Sequence, residues 1–153
     1  MERTSALDVE ALATIAVDAA VRTHRELGPG LLESVYVAVL SQRLRARGLA
    51  VRREVVVPIV VGDERIPEAF RADLIVEGRL LIEVKSLEHE APVHRRQVLT
   101  YLRLPNLTLG LLMNFGAPTM KQGLRRIVNQ HPEGRGSPLR IQRASAGSDA
   151  EPR

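Results

Sequence analysis

Asp73 and the triplet Glu83-Val84-Lys85 are the residues of this 153-residue chain whose types and spacing suit metal-assisted chemistry on a phosphate ester. Glu83 and Lys85 are two apart in Leu80-Leu81-Ile82-Glu83-Val84-Lys85, a run that reads as a strand. Both therefore project from one face, and Ile82 and Val84 from the other. A carboxylate and an ammonium at the end of so apolar a strand cost desolvation unless they bind a metal or each other. Converging carboxylates hold Mg²⁺, which prefers oxygen ligands and keeps several waters, with Mn²⁺ as a substitute. A neighbouring lysine can orient or deprotonate the attacking water, or offset the charge that grows on the phosphate. D-x(9)-E-x-K alone is common by chance, so the elements that position these residues must support it.

Ala69–Val76 and Leu80–Lys85 read as two strands with Gly78 in the short turn between them, a hairpin. Pairing residues whose numbers add to 156 sets Asp73 opposite Glu83 on one face. Slipping by a single residue puts them on opposite faces and destroys the site. The chemistry thus predicts the even register, with a three-residue turn or a bulge near Gly78.

Before the hairpin, residues 6–27 carry apolar positions at helical spacing, and Gly28-Pro29-Gly30 breaks the pattern. Leu32 to Leu44 repeats it and ends near Gly48, a candidate C′ residue. Val51–Val61 is rich in β-branched residues and reads as a strand turning at Gly62-Asp63. Pro92–Leu104 reads as a helix with apolar Val98, Leu99 and Leu102. Thr108–Phe115 reads as a strand buried on both faces. A last short element over Gly123–Asn129 reads as a strand. The order is α/β with a mixed sheet, and the step from 80 to 115 has the length of a parallel crossover.

Two further groups sit where they could join the site. Glu33 lies three and seven residues before Tyr36 and Leu40, at the edge of an apolar stripe, though the helix dipole also favours an acid in a first turn. His94, Gln97 and Tyr101 share one side of the helix after Lys85. They suit a site, but equally suit capping or pairing at the sheet edge.

A net charge of +4 suits a polyanionic partner. Of the 22 cations 20 are Arg, which makes Lys85 stand out. The absence of Cys excludes disulfides, thiolate zinc sites and cysteine-ligated clusters. Aromatic residues make up 3%, too few for broad stacking surfaces. No apolar run approaches the roughly 20 residues of a membrane span, so a cytoplasmic protein is expected. Residues 1–130 read as one domain and 131–153, rich in Pro, Gly, Ser and Arg, as a flexible tail.

Gly30-Leu31-Leu32-Glu33-Ser34-Val35-Tyr36 spells G-x-x-E-x-x-Y. With His24-Arg-Glu-Leu-Gly-Pro-Gly30, Arg71-Ala-Asp73, Glu83-Val-Lys85, Pro92-Val-His94, Gln97-x-x-x-Tyr101-Leu and Asn114-Phe-Gly116 in order, the chain resembles the GxxExxY family over residues 10–129. That family is a branch of the PD-(D/E)XK nuclease superfamily. The resemblance implies a restriction-endonuclease-like core, a mixed β-sheet flanked by helices in the order α-α-β-β-β-α-β-(β). It implies Glu33, Asp73 and Glu83 as metal ligands and Lys85 as the catalytic lysine. Gln97 would be an auxiliary polar group and Tyr101 its support. Val37 and Arg43 depart from the family, whose members often carry acids there; neither position is an implied ligand.

The expectation is therefore a Mg²⁺-dependent endonuclease acting on DNA, including branched or repair intermediates, as a homodimer. The alternative is a catalytically silent nuclease fold that binds nucleic acid or a protein. A structural or antitoxin-like protein using the first two helices has no positive support in the sequence.

Overall fold

Asp8 accepts the Ala11 N–H at 2.8 Å and so opens the first helix, α1 (Val9–Leu27), a cap of about 1 kcal/mol. The computed structural model describes residues 7–129; the expected tail, 131–153, lies outside the described residues. α2 (Glu33–Ala46) ends at Arg47. Gly48 N–H bonds Arg45 O and Leu49 N–H bonds Leu44 O. With Gly48 at φ 81°, this is a Schellman ending that releases the chain into the sheet.

The strands β1 (Val51–Val61), β2 (Glu64–Val76), β3 (Leu80–Lys85), β4 (Leu109–Asn114) and β5 (Leu124–Val128) form one sheet in sequence order. β3 and β4 run parallel across the connecting helix α3 (Pro92–Arg103), and the other neighbours are antiparallel. The short α4 (Met120–Gly123), which the sequence pattern does not signal, precedes β5; Thr119 accepts from Gln122 N–H to cap it. The fold is α/β, a mixed five-stranded sheet with flanking helices, as expected.

The two faces of the sheet carry different loads. Leu74, Val76, Leu80, Ile82, Val84, Leu109, Leu111 and Met113 pack with α1 and α2. Ile75, Leu81 and Leu112 pack with Val98 and Leu102 of α3. β3 and β4 are buried on both faces, which explains their unbroken apolar runs.

β2 begins at Glu64, five residues before the expected start, because the ladder with β1 continues out to Val61↔Glu64. Residues 64–69 are all exposed, so no buried face imposes alternation there. The ladder shifts at Pro58, which has no N–H to give. A second irregularity matters more. Phe70 and Ala72 share the α3-side core with Ile75, whereas Leu74 and Val76 face α1 and α2. Alternation thus slips by one at Asp73. Opposite it the ladder skips Glu54, which has φ 49°. Such a break re-aims a strand side chain, and Asp73 is the one re-aimed.

Candidate active site

The register fixes the first relation. β2 and β3 pair as Leu74↔Ile82, Ile75↔Leu81 and Val76↔Leu80, the expected even register, through the three-residue turn Glu77-Gly78-Arg79. Its continuation sets Asp73 beside Glu83. An Asp73 carboxylate oxygen accepts the Val84 N–H at 2.7 Å, fixing the side chain on the β3 backbone. Glu83 is only 8% exposed, and its Oε2 has no hydrogen-bond partner among the described residues.

Two acids this close and this dry resist ionising together. Burial, then the Asp73 charge, push the Glu83 carboxyl up to about 8, against the pull of Lys85. Burial also raises Asp73; the Val84 N–H opposes the rise, Glu33 adds to it and Lys85 reduces it. The Tyr101 hydroxyl is raised by burial and then by the charges of Glu83 and Asp73. Asp73 and Glu83 therefore feel each other and the Lys85 charge, Tyr101 feels both carboxylates, and Glu33 reaches Asp73.

The chain brings the expected residues together to different degrees. Asp73 and Glu83 are in contact. Lys85 is two residues on, half-buried at the end of β3. Glu33 is exposed at the first position of α2, at a distance where its charge acts but no bond forms. Among the described residues no third His, Asp or Glu closes on the carboxylate pair. Tyr101 is half-buried and stacks on Phe70, ring centroids 4.0 Å apart. Gln97 is exposed on α3. His94 turns back to its own helix, where Nδ1 accepts the Ala91 N–H at 3.2 Å, and so it caps α3.

Other motif residues build the scaffold. The Tyr36 hydroxyl donates to Gly28 O at 2.6 Å and accepts from Leu31 N–H at 3.1 Å. It thereby pins the loop that presents Glu33. Its ring stacks on Phe115, centroids 4.3 Å apart. His24 bonds Ala117 O through Nε2 at 2.8 Å, holding the turn after β4. Asn114 clamps the segment after Lys85: its Oδ1 accepts from Leu87 N–H and Gly116 N–H, and its Nδ2 donates to Leu87 O. Gly116 is required there, since a Cβ would lie 2.1 Å from Leu87 O.

Sequence reasoning passed over Ser86. Its hydroxyl donates to Leu31 O at 2.6 Å, tying the end of β3 to the loop before α2. A serine beside a strand-end lysine carries no pattern that could have revealed this bond. A buried Asn closing an apolar strand was a visible signal for the Asn114 clamp.

A carboxylate pair on adjacent strands, an orphaned oxygen on one member and a lysine on the same face form an arrangement with the donor chemistry to take a divalent cation beside a phosphate. The profile of the PD-(D/E)XK nuclease superfamily matches residues 10–127, and the chain belongs to that superfamily. Its members generally use divalent metals, and the orphaned Glu83 oxygen beside a second carboxylate fits such an ion. No curated protein and no solved structure matches the chain. No helix among the described residues is long and apolar enough to cross a membrane.

Proposed function

We propose that this protein is a Mg²⁺-dependent endonuclease acting on DNA, with Mn²⁺ as a substitute, and that it belongs to the GxxExxY branch. The observation that carries the reading is the Asp73–Glu83 pair: two carboxyls pressed together, one with an unpartnered buried oxygen. With the Glu83 carboxyl pushed up to about 8, the pair holds a proton at ordinary pH and is a poor structural device; a cation is what stabilises both charges.

Asp73 and Glu83 would hold the ion, with Glu33 as the third acid and water completing the shell. When bound, the metal supplies charge neutralisation at the phosphate and a more acidic water. Lys85 orients the attacking water, accepts its proton or faces the charge growing on the phosphate. Asp73 keeps its orientation through the Val84 N–H. Tyr101, stiffened by Phe70, supports the carboxylates, and exposed Gln97 contributes a polar contact to the substrate. Branched or repair intermediates are the preferred substrates of this reading, and a homodimer in the cytoplasm its working form.

The test is purified protein on single-stranded, duplex and branched DNA and on RNA, with Mg²⁺, Mn²⁺ or EDTA. Cleavage that needs metal and falls by about 10²–10⁴-fold in Asp73→Ala and Lys85→Ala is the expected outcome. Circular dichroism should show both variants folded. Absence of metal-dependent cleavage on every substrate, or equal cleavage by the variants, overturns the assignment in favour of a silent binding module.

A further inference from the structure

Helix α2 opens in an unusual way. Its N-cap position is Leu32, which makes no capping hydrogen bond, where Ser, Thr, Asp or Asn would satisfy an orphan N–H. Leu32 is also 75% exposed, and its neighbour Leu31 is 41% exposed. The chain forgoes a cap in order to hold two leucines in water, a local conflict of the sort expected at functional positions.

These leucines line a recess of about 440 Å³ with Glu33, Ser34 and Ser86, within the roughly 300–1,000 Å³ of small-molecule sites. The recess adjoins the carboxylate site from two sides. Glu33 is the acid whose charge reaches Asp73, and Ser86 directly follows Lys85. Ser86 also anchors the Leu31 carbonyl, and Tyr36 the Leu31 N–H, so the leucine wall is held in place. One wall is apolar; the other offers the Ser34 hydroxyl and the N–H groups of Glu33 and Ser34 at the start of α2, which suit a phosphate, the next N–H, of Val35, being taken by Leu32 O at 3.0 Å.

Resting on the nuclease reading above, we propose that this recess receives an unpaired nucleotide flanking the scissile phosphate. Its base lies on Leu32 and Leu31, and its phosphate faces Ser34 and the start of α2. A base inside a duplex stack cannot offer its face to a protruding leucine, so the recess selects single-stranded or splayed nucleotides. In a chain so poor in aromatic residues, leucines replace the usual stacking rings.

The test is Leu32→Ser in the full chain, compared with wild type on fluorescently labelled single-stranded DNA, single-stranded RNA and duplex DNA. Binding is measured with Ca²⁺ in place of Mg²⁺, and cleavage with Mg²⁺. Serine is a better N-cap, so the variant should fold with an unchanged or raised melting temperature. Single-strand affinity should fall roughly tenfold, through KM more than kcat, and the loss should exceed any loss on duplex. A loss on DNA alone or on RNA alone names the natural strand. Leu32→Trp should retain binding and quench 2-aminopurine placed beside the cleavage position. Equal behaviour of Leu32→Ser and wild type on all three ligands overturns the recess. If Asp73→Ala is still inactive in that case, the nuclease reading stands without it. Should nothing be cleaved, a selective binding loss in Leu32→Ser still supports the recess while removing catalysis.

Discussion

β3 faces two different worlds. On the α1–α2 side it presents Leu80, Ile82 and Val84, all fully buried in an apolar core. On the α3 side it presents Leu81, then Glu83 and Lys85. The polar groups on the α1–α2 side are nearly all answered: Tyr36 makes two hydrogen bonds, His24 one, and Thr23 donates to Ala19 O. On the α3 side Glu83 keeps a carboxyl oxygen unanswered among the described residues. A buried polar group with every partner in place holds a loop, whereas a buried carboxylate without one awaits a ligand.

The largest effect that tests this contrast is the pH dependence of the metal-free protein. In the unfolded chain Glu83 ionises near 4.5, and in the folded protein near 8. Between those values the native state holds a proton that the unfolded state has released, so stability falls as pH rises. The loss by pH 8 is on the order of a few kcal/mol, and Asp73, also raised, acts in the same direction. Adding Mg²⁺ should restore stability above pH 7, and Glu83→Gln should flatten the profile and abolish the Mg²⁺ effect. Urea midpoints in EDTA from pH 5 to 8 check this. Stability that stays level or rises over that range would mean that the pair is not the dry, mutually repelling couple described.

Next in size is Tyr36→Phe, which removes a hydroxyl that is fully engaged. Two backbone groups lose a partner, Gly28 O and Leu31 N–H, at a cost of about 1–2 kcal/mol. Because the same bonds hold the loop carrying Glu33, metal affinity should fall as well, though cleavage at saturating Mg²⁺ should drop far less than in Asp73→Ala. Chemical denaturation and Mg²⁺ titration together measure both. A variant as stable as wild type would remove Tyr36 from the scaffold role.

These bonds also show where sequence reasoning reached and where it stopped. The apolar run of β3, its i, i+2 charges and the demand that two carboxylates share a face were enough to choose the β2–β3 register. Gly48 marked the end of α2 by its helix-ending position. The outer half of β2 was illegible because Arg65, Pro67 and Glu68 lie on an exposed hairpin that imposes no alternation. The slip at Asp73 could not be read either, since it arises from the paired irregularity with Glu54. Ser86 and Asn114 act on backbone groups 55 and 27 residues away, partners that side-chain spacing does not encode. His94, equally compatible with a site or a cap, is decided by one local bond from the Ala91 N–H.

The smallest predicted effect is the sharpest check on the contrast between the faces, because Ser41 is its exception. Ser41 sits in α2, 1% exposed, and its hydroxyl has no partner among the described residues. Unlike Glu83 it has no acid group to ionise and is small, and its neighbours on that helix face, Val37, Leu40 and Leu44, are apolar. If an unanswered hydroxyl here is only a tolerated defect, Ser41→Ala removes it and adds a better helix former. Stability should then rise by up to about 1 kcal/mol, with cleavage unchanged. A destabilisation of similar size would show that Ser41 has a partner in solution, and charge would then be what separates a waiting group from a structural one.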